Sequence, residues 1–378
     1  MDWIDGLARR LFPGAIERAR DAAIRQAVRN AEEPGWRPLT ADATALDQPW
    51  WAVRETLERA ERICETNPLA ARLVRMTTEF VVGGGARLQG PAWAQRFWDD
   101  PRNGLDQRVY RWCEELCRAG ELFLVLSSNP ATGMQYVREV PAARIDAIDT
   151  DLDDAELELR YHQLTDETEG RWWPSAALAP QAPQVMLHYA VNRPVGAVRG
   201  RSDLAQVLPW LERYDMWLED RVRLNRYKGA YYWVVHVENA LPGQLQAKRA
   251  QYSRVPRPGS LIVTDGHERW EAVQPHIEAG DAAADGRAIR MMIAAGAGVP
   301  LHYLAEGEGT NRATAREMGT ATLRRFRHRQ YVFARMIEDL LRVAARRAGQ
   351  GHVEVEVTLD ELADPLEAAA QPQGGVSR

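Results

Sequence analysis

Cysteine is scarce: Cys64, Cys113 and Cys117 are the only three in 378 residues. An odd trio does not make a disulfide framework, which excludes a small stapled extracellular scaffold. Long apolar runs are also missing. Mean hydropathy is -0.43, and no stretch approaches the length that would cross a bilayer. The opening residues, "MDWIDGLARRLFPGAIERARDAAIRQ", mix Asp, Arg and Trp from the start and lack the apolar segment of a secretory signal, so the sequence reads as cytoplasmic. Absent too are G-x-S-x-G, H-E-x-x-H, a C-x-x-C pair and a Walker loop, while the eight histidines are scattered singly. Those absences argue against the commoner hydrolase, metalloprotease, redox and nucleotidase chemistries, and no cofactor or metal is expected. Finally, there is no excess of positive charge. A chain that coats DNA with its whole surface is basic throughout, because affinity comes from neutralising phosphates, and a formal net charge of -5 excludes that.

What is present is ordinary globular composition, 45% hydrophobic and 27% charged, in a chain long enough for two or three units. Val53, Leu57, Ala60, Ile63 and Cys64 recur at helical spacing until Asn67-Pro68 interrupts; a second helix then carries Leu69, Leu73, Met76 and Phe80. "VVGGGARL" is neither a complete dinucleotide fingerprint nor a Walker loop, and reads as a glycine turn into a strand. "WAQRFWDD" and "DQRVYRWCEELCRAG" continue as helices, the second stopped by Gly120. Cys113 and Cys117, four apart, share a helix face that either packs into the core or seeds a metal site; with no His nearby, packing is favoured.

"ELFLVLSSNPATGMQYVREV" reads as strand, turn, strand, and extended segments follow in "RIDAIDTDLDDAELELRYHQL" and "QVMLHYAV". Ser202 is placed to cap a helix with Leu204, Leu208, Leu211, Tyr214, Leu218 and Val222 on one stripe, Pro209 marking a kink or a staggered start. After the extended "AYYWVVHV", a short helix opens at Pro242, "SLIVTDGHERWEAV" carries a hairpin signal, and a helix capped by Asp281 returns through Ile289, Met292 and Ile293. Thr310 or Asn311 caps a last long helix whose apolar positions run Ala315, Met318, Thr322, Phe326, Phe333, Ile337, Leu340 and Ala344. Ten arginines against Glu317, Glu338 and Asp339 make its outer face cationic, and "HVEVEVTL" alternates as a closing strand.

Two places invite chemistry. Asp146, Asp149, Asp151, Asp153 and Asp154 are either a solvated turn or the divalent-metal site of a nucleic-acid-processing enzyme; "ELELRYH" offers Arg160 where a nuclease of the PD-(D/E)xK pattern wants lysine. Glu306 and Glu308 lie between glycines in "YLAEGEGTNRATAREM", a hinge-rich platform ill suited to acid-base catalysis and better suited to a mobile loop. A further alternative is a nucleic-acid scaffold using the Arg-rich helix through Arg324 and Arg325.

The ordered series "RICETNPLAARLVRMTTEFVVGGGARL", "GRSDLAQVLPWLERYDMWLEDRVRLNRYKGA", "RPGSLIV" and "IAAGAGVPLHYLAEGEGTNRATAREM" resembles the portal proteins of tailed bacteriophages, over roughly residues 40 to 350. The resemblance implies a mostly helical α+β fold without catalytic activity: an N-terminal segment at 1–48, a wing at 49–240, stem helices at 241–256 and 280–298, and a clip hairpin at 257–279. A tunnel-loop region follows at 299–311, then a long helix at 312–348 and a C-terminal strand and tail at 349–378. Only that last stretch is left for a crown, which would be reduced or absent.

It also implies a homo-oligomeric ring, twelve subunits in the virion, at the capsid vertex, assembled in the host cytoplasm, passing double-stranded DNA non-specifically. Terminase large subunit, a head-tail adaptor and major capsid or scaffold protein would be partners, with no membrane involved. The tunnel loop would comprise Leu304, Glu306, Gly307, Glu308, Gly309, Thr310 and Asn311. Asp281 and Asp285 would face the channel, and Ser260, Asp265, Gly266, His267 and Trp270 would meet terminase or the adaptor. Acidic side chains suit such a bore, since duplex DNA carries one charge per about 1.7 Å and an arginine-lined wall would hold it.

Overall fold

The structure, a computed structural model, describes residues 48–360 and 362, apart from 152–153, 155, 166–169, 229–231, 239–240, 253–262, 264–265, 274–281 and 305–311. The expected N-terminal helix and loop, the Asp281 cap, the Thr310 or Asn311 cap, the first arm of the "SLIVTDG" hairpin and the C-terminal tail therefore lie outside the described residues. Two compact units divide the chain: residues 212–292, and everything on either side of them.

The larger unit opens with α1 (Trp50–Thr66) and α2 (Pro68–Val81). Asn67-Pro68 both ends the first and starts the second. The Asn67 side chain accepts from the backbone N–H of Leu69 at 2.8 Å and of Ala70 at 3.1 Å, while Pro68 takes the first helical position, where no N–H is needed. The three glycines then turn the chain into β1 (Ala86–Gln89), as the sequence predicts. Helices α3 (Ala92–Asp99) and α4 (Leu105–Ala119) follow, and α4 stops at Gly120, whose φ of 81° a side chain rarely adopts.

Two antiparallel three-stranded sheets come next. One has β2 (Glu121–Ser128) between β3 (Gln135–Val140) and β7 (Gln184–Ala190); the other has β5 (Glu158–Gln163) between β4 (Ile145–Thr150) and β6 (Arg171–Pro174). Beneath α1 they share a core built on Leu57, Phe123, Val125, Ile145, Tyr161 and Met186.

Ser202 is a correction. Its hydroxyl accepts from Leu204 N at 3.0 Å, yet turns run on to Val207, and α5 (Leu208–Lys228) opens only at Leu208 with Pro209 in its first turn. The staggered start, rather than a kink, is what a residue without an N–H permits. The expected stripe also divides. Leu204, Leu208 and Leu211 are buried in the larger unit, whereas Leu218 and Val222, in the smaller one, are exposed.

The smaller unit holds most of α5, β8 (Tyr232–Val237), α6 (Pro242–Gln251), β9 (Glu268–Val273) and the first part of α7 (Ala282–Ala297). β9, read from the sequence as the second arm of a local hairpin, pairs antiparallel with β8, from Tyr232↔Val273 to Val237↔Glu268. Gly286 lets α7 approach α5, since a Cβ there would meet the Trp217 ring at 2.5 Å.

In the larger unit, α8 (Arg312–Arg347) runs against α2, α3 and β10 (Glu356–Leu359), burying Phe326, Phe333, Ile337, Leu340 and Ala344, and β10 pairs with β1. Among the described residues no helix is long and apolar enough to cross a membrane.

Candidate functional site

The chain leaves α7 at Ala297 and turns at Gly298, with φ of 64°. It then makes one short helical turn, Leu301–Leu304, before the stretch that carries Glu306 and Glu308. This approach is clamped. Phe80 of α2 lies between Tyr303, with ring centroids 5.9 Å apart, and Phe326 of α8, at 4.7 Å and an interplanar angle of 8°. The Arg325 guanidinium donates to the Ala297 carbonyl, and Thr322 Oγ1 donates to the Gly298 carbonyl at 3.4 Å. Two carbonyls at the end of α7 are thereby satisfied, which fixes where the chain departs.

Leu304 is 2% exposed, an anchor of that root and not a loop residue open to a channel. A buried apolar side chain is held in place by the cost of returning it to water. Glu306, Gly307, Glu308, Gly309, Thr310 and Asn311 lie outside the described residues, as do Asp281, Ser260 and Asp265. Asp285 is exposed in the first turn of α7. Gly266 and His267 form an exposed turn into β9, where Trp270 is half-buried and stands edge-on to Tyr252 at 4.9 Å. Glu268, beside it, is paired with Lys248 and accepts from the Tyr252 hydroxyl at 2.8 Å; those hydrogen bonds hold its carboxyl below the usual range. The described part of the expected clip is thus anchored to α6 and β8.

The aspartates of 146–154 do not converge. Asp146 bonds His162 Nδ1 at 2.5 Å, and Asp149 accepts from Arg160 at 2.6 Å. Asp151 and Asp154 accept from backbone N–H groups of their own turn, and Asp153 lies outside the described residues. Strand alternation and local turns send each carboxylate to its own partner. Among the described residues no three metal-ligating side chains gather anywhere. Cys113 and Cys117 are buried, and burial pushes the Cys113 thiol up to about 12 and raises that of Cys117 as well; they are core packing.

Part of the cationic outer face expected of α8 is turned inward, while Arg324, Arg335 and Arg346 stay exposed. Arg329 pairs with Asp203 at 2.8 Å, Arg342 with Glu338 at 2.9 Å, and Arg327 donates to the Leu362 carbonyl. Arg347 reaches the carbonyls of Pro180 at 2.7 Å and Ala182 at 2.8 Å. An always-charged fork of five donors suits scattered backbone acceptors, so these arginines fasten the helix to its own fold.

A buried ionic network escaped the sequence reading. Glu121 accepts from Arg199 Nη2 at 2.8 Å and from Gly200 N at 3.0 Å, and lies 3.3 Å from His188 Nε2. His188 Nδ1 bonds Glu158 at 2.8 Å, Tyr161 donates to Glu158 at 2.7 Å, and the imidazole stacks on Phe123 at 4.3 Å. Burial opposes charge at both ends. Against it, Glu158 and Glu121 hold the His188 imidazole at about 9, and Arg199 with His188 hold the Glu121 carboxyl at about 2. The one available signal was a charged residue opening the apolar run "ELFLVL" and a histidine inside "QVMLHYA".

No protein-family model and no curated protein sequence matches the chain. Solved structures do. A chain in the virion of a native gene transfer agent particle is 16% identical, over 88% of this chain and 93% of that one, with a TM-score of 0.61. A chain in the neck of a native particle of the same kind, computed with C12 symmetry, is 16% identical over 89% and 88%, with a TM-score of 0.53. An HK97-family phage portal protein from Corynebacterium diphtheriae aligns over 84% of this chain and 98% of its own, at 12% identity and a TM-score of 0.44. The likeness extends over most of the length of both chains, and at these identities it is one of fold, a mixed helix-and-sheet arrangement.

Proposed function

We propose that this chain is a portal protein, a structural and non-catalytic subunit that assembles with copies of itself into a ring at the capsid vertex, through which double-stranded DNA is packaged and ejected. The observation that carries the reading is the full-length fold likeness to chains of a gene transfer agent virion and of a neck with C12 symmetry. Twelve subunits are the expected stoichiometry, a number with which the C12 symmetry of that neck is in keeping.

The smaller unit supports it independently. Met216, Leu218, Val222, Met291 and Met292 are exposed at 41–58%, large apolar side chains that a contact between copies would cover. A head-to-tail contact repeated by rotation closes a ring and covers such faces. Glu306 and Glu308, springing from the clamped root, would meet the passing duplex with like charge and keep phosphates from sticking, with Asp281 and Asp285 acidic in the same sense. Terminase large subunit, a head-tail adaptor and capsid or scaffold protein would be the partners, with Ser260, Asp265, Gly266, His267 and Trp270 toward the motor or adaptor. The separate pairing of Asp146 and Asp149 removes the reason for a metal-dependent nuclease.

Negative-stain images and mass measurements of the purified protein test the proposal. Closed rings many times 42.6 kDa are expected; a molecule that stays single at every concentration, and also beside capsid components, would overturn it. For the loop, Glu306→Lys with Glu308→Lys should leave rings intact and impair DNA packaging. Normal packaging by that variant would take the loop out of the mechanism.

A further inference from the structure

The turn between α3 and α4 contains Asn103-Gly104, and none of the other seven asparagines in the chain is followed by glycine. Such a pair is chemically labile, because glycine has no side chain to keep its backbone nitrogen from reaching the asparagine amide. The Gly104 nitrogen attacks the Asn103 side-chain carbon, its proton leaves with the amide nitrogen as ammonia, and a cyclic imide remains. Water then opens the ring, leaving aspartate or its β-linked isomer. No oxidant or cofactor is required.

The fold holds both reacting groups elsewhere. Asn103 is 0% exposed, and its Nδ2 donates to the carbonyls of Phe97 at 3.0 Å and Gln135 at 3.2 Å, while its Oδ1 accepts from Val137 N at 3.1 Å. Gln135 and Val137 turn those groups outward from β3, away from β2, so the side chain stands where a further strand would pair. The Gly104 N–H is engaged too, donating to the Asp100 carbonyl at 2.9 Å, and the Arg108 guanidinium donates to the Asn103 backbone carbonyl. Beside it, Arg138 donates to the carbonyls of Arg102 at 2.9 Å and Val137 at 2.6 Å, fastening the turn to the same edge. For ring closure this turn must first come away from β3.

We propose that Asn103 is a deamidation site which the closed edge of β3 keeps unreactive, and that reaction there makes an opening of this edge permanent. The amide is the only donor that Asn103 offers to the Phe97 and Gln135 carbonyls. A carboxylate in its place sets negative charge against two buried acceptors, and the β-linked isomer also lengthens the backbone of the turn. The lock lies within a single subunit and works whether or not a ring forms.

Peptide mapping by mass spectrometry on the full chain tests the proposal, comparing amide-to-acid conversion at mildly alkaline pH in buffer and in denaturing urea. Unfolded chain should convert Asn103 first among its eight asparagines, and the folded chain should convert it at least about a hundredfold more slowly. Across a urea series the rate should follow the fraction of molecules opened. Equal rates in folded and unfolded chain, or a rate that stays flat through the unfolding transition, would overturn the lock. Asn103→Asp should melt several degrees below wild type, since it leaves buried carbonyls without their donor. Unchanged melting of that variant would overturn the permanence.

Discussion

His188 spends its life charged inside a sheet core. Its imidazole is held at about 9 and the Glu121 carboxyl at about 2, so each shift contributes stability in its own window. A raised imidazole contributes fully below its unfolded value of 6.5 and loses that contribution as pH climbs through 9; a depressed carboxyl contributes fully above 4.5 and loses it as pH falls through 2. Thermal melts of the full chain should therefore decline between pH 7 and 9. In His188→Gln that slope should vanish and the whole curve should drop, because removing one partner of a buried ionic group costs about 3–5 kcal/mol. A slope unchanged in the variant would assign it to other groups. The cysteines allow a simpler check. With Cys64 pushed up to about 11 and Cys113 to about 12 by burial, thiol titration of the native protein at pH 8 should be slow at all three positions, and should become complete only in denaturant.

At the scale of elements, function rests on where segments are pinned. The root before Glu306 hangs on the Phe80, Tyr303 and Phe326 stack, so Phe326→Ala should destabilise the larger unit by about 3–5 kcal/mol in urea titration, as for other buried aromatics. Gly120 is a second pin. Its φ is 81°, and a Cβ would sit 2.2 Å from the Arg201 carbonyl carbon. Gly120→Ala should accordingly cost more than the roughly 1 kcal/mol of a left-handed residue alone, and loosen the loop at 199–203 in hydrogen exchange. That Gly120 ends a helix is plain from the sequence; that it lets a loop from eighty residues downstream close onto it is not.

For the molecule as a whole, the division of α5 matters most. Its first turns are buried, and its later ones leave Leu218 and Val222 at 41% and 53% exposure. If copies cover that face, Leu218→Asp with Val222→Asp should abolish rings by mass measurement while the melting of the larger unit stays within a few degrees of wild type. Rings that survive both charges would exclude this face as the contact.

How much could be read beforehand varies with the range of the interaction. Local punctuation fixed the elements: Asn67-Pro68, the glycines before β1, Gly120, the alternation of "HVEVEVTL" and the period of α8 were legible because capping, φ preference and amphipathicity act within a few residues. The fold likeness was legible in the order of those elements along the chain. Only the tertiary structure decided that Leu304 anchors rather than protrudes, that Arg327, Arg329, Arg342 and Arg347 of α8 bind their own fold, and that His188 sits between Glu121, which also meets Arg199, and Glu158. It also decided that β9 pairs with β8. Those outcomes turn on partners tens to hundreds of residues away. Charge and hydrophobicity say that a side chain needs a partner or shelter, and only the packed chain says which one it gets.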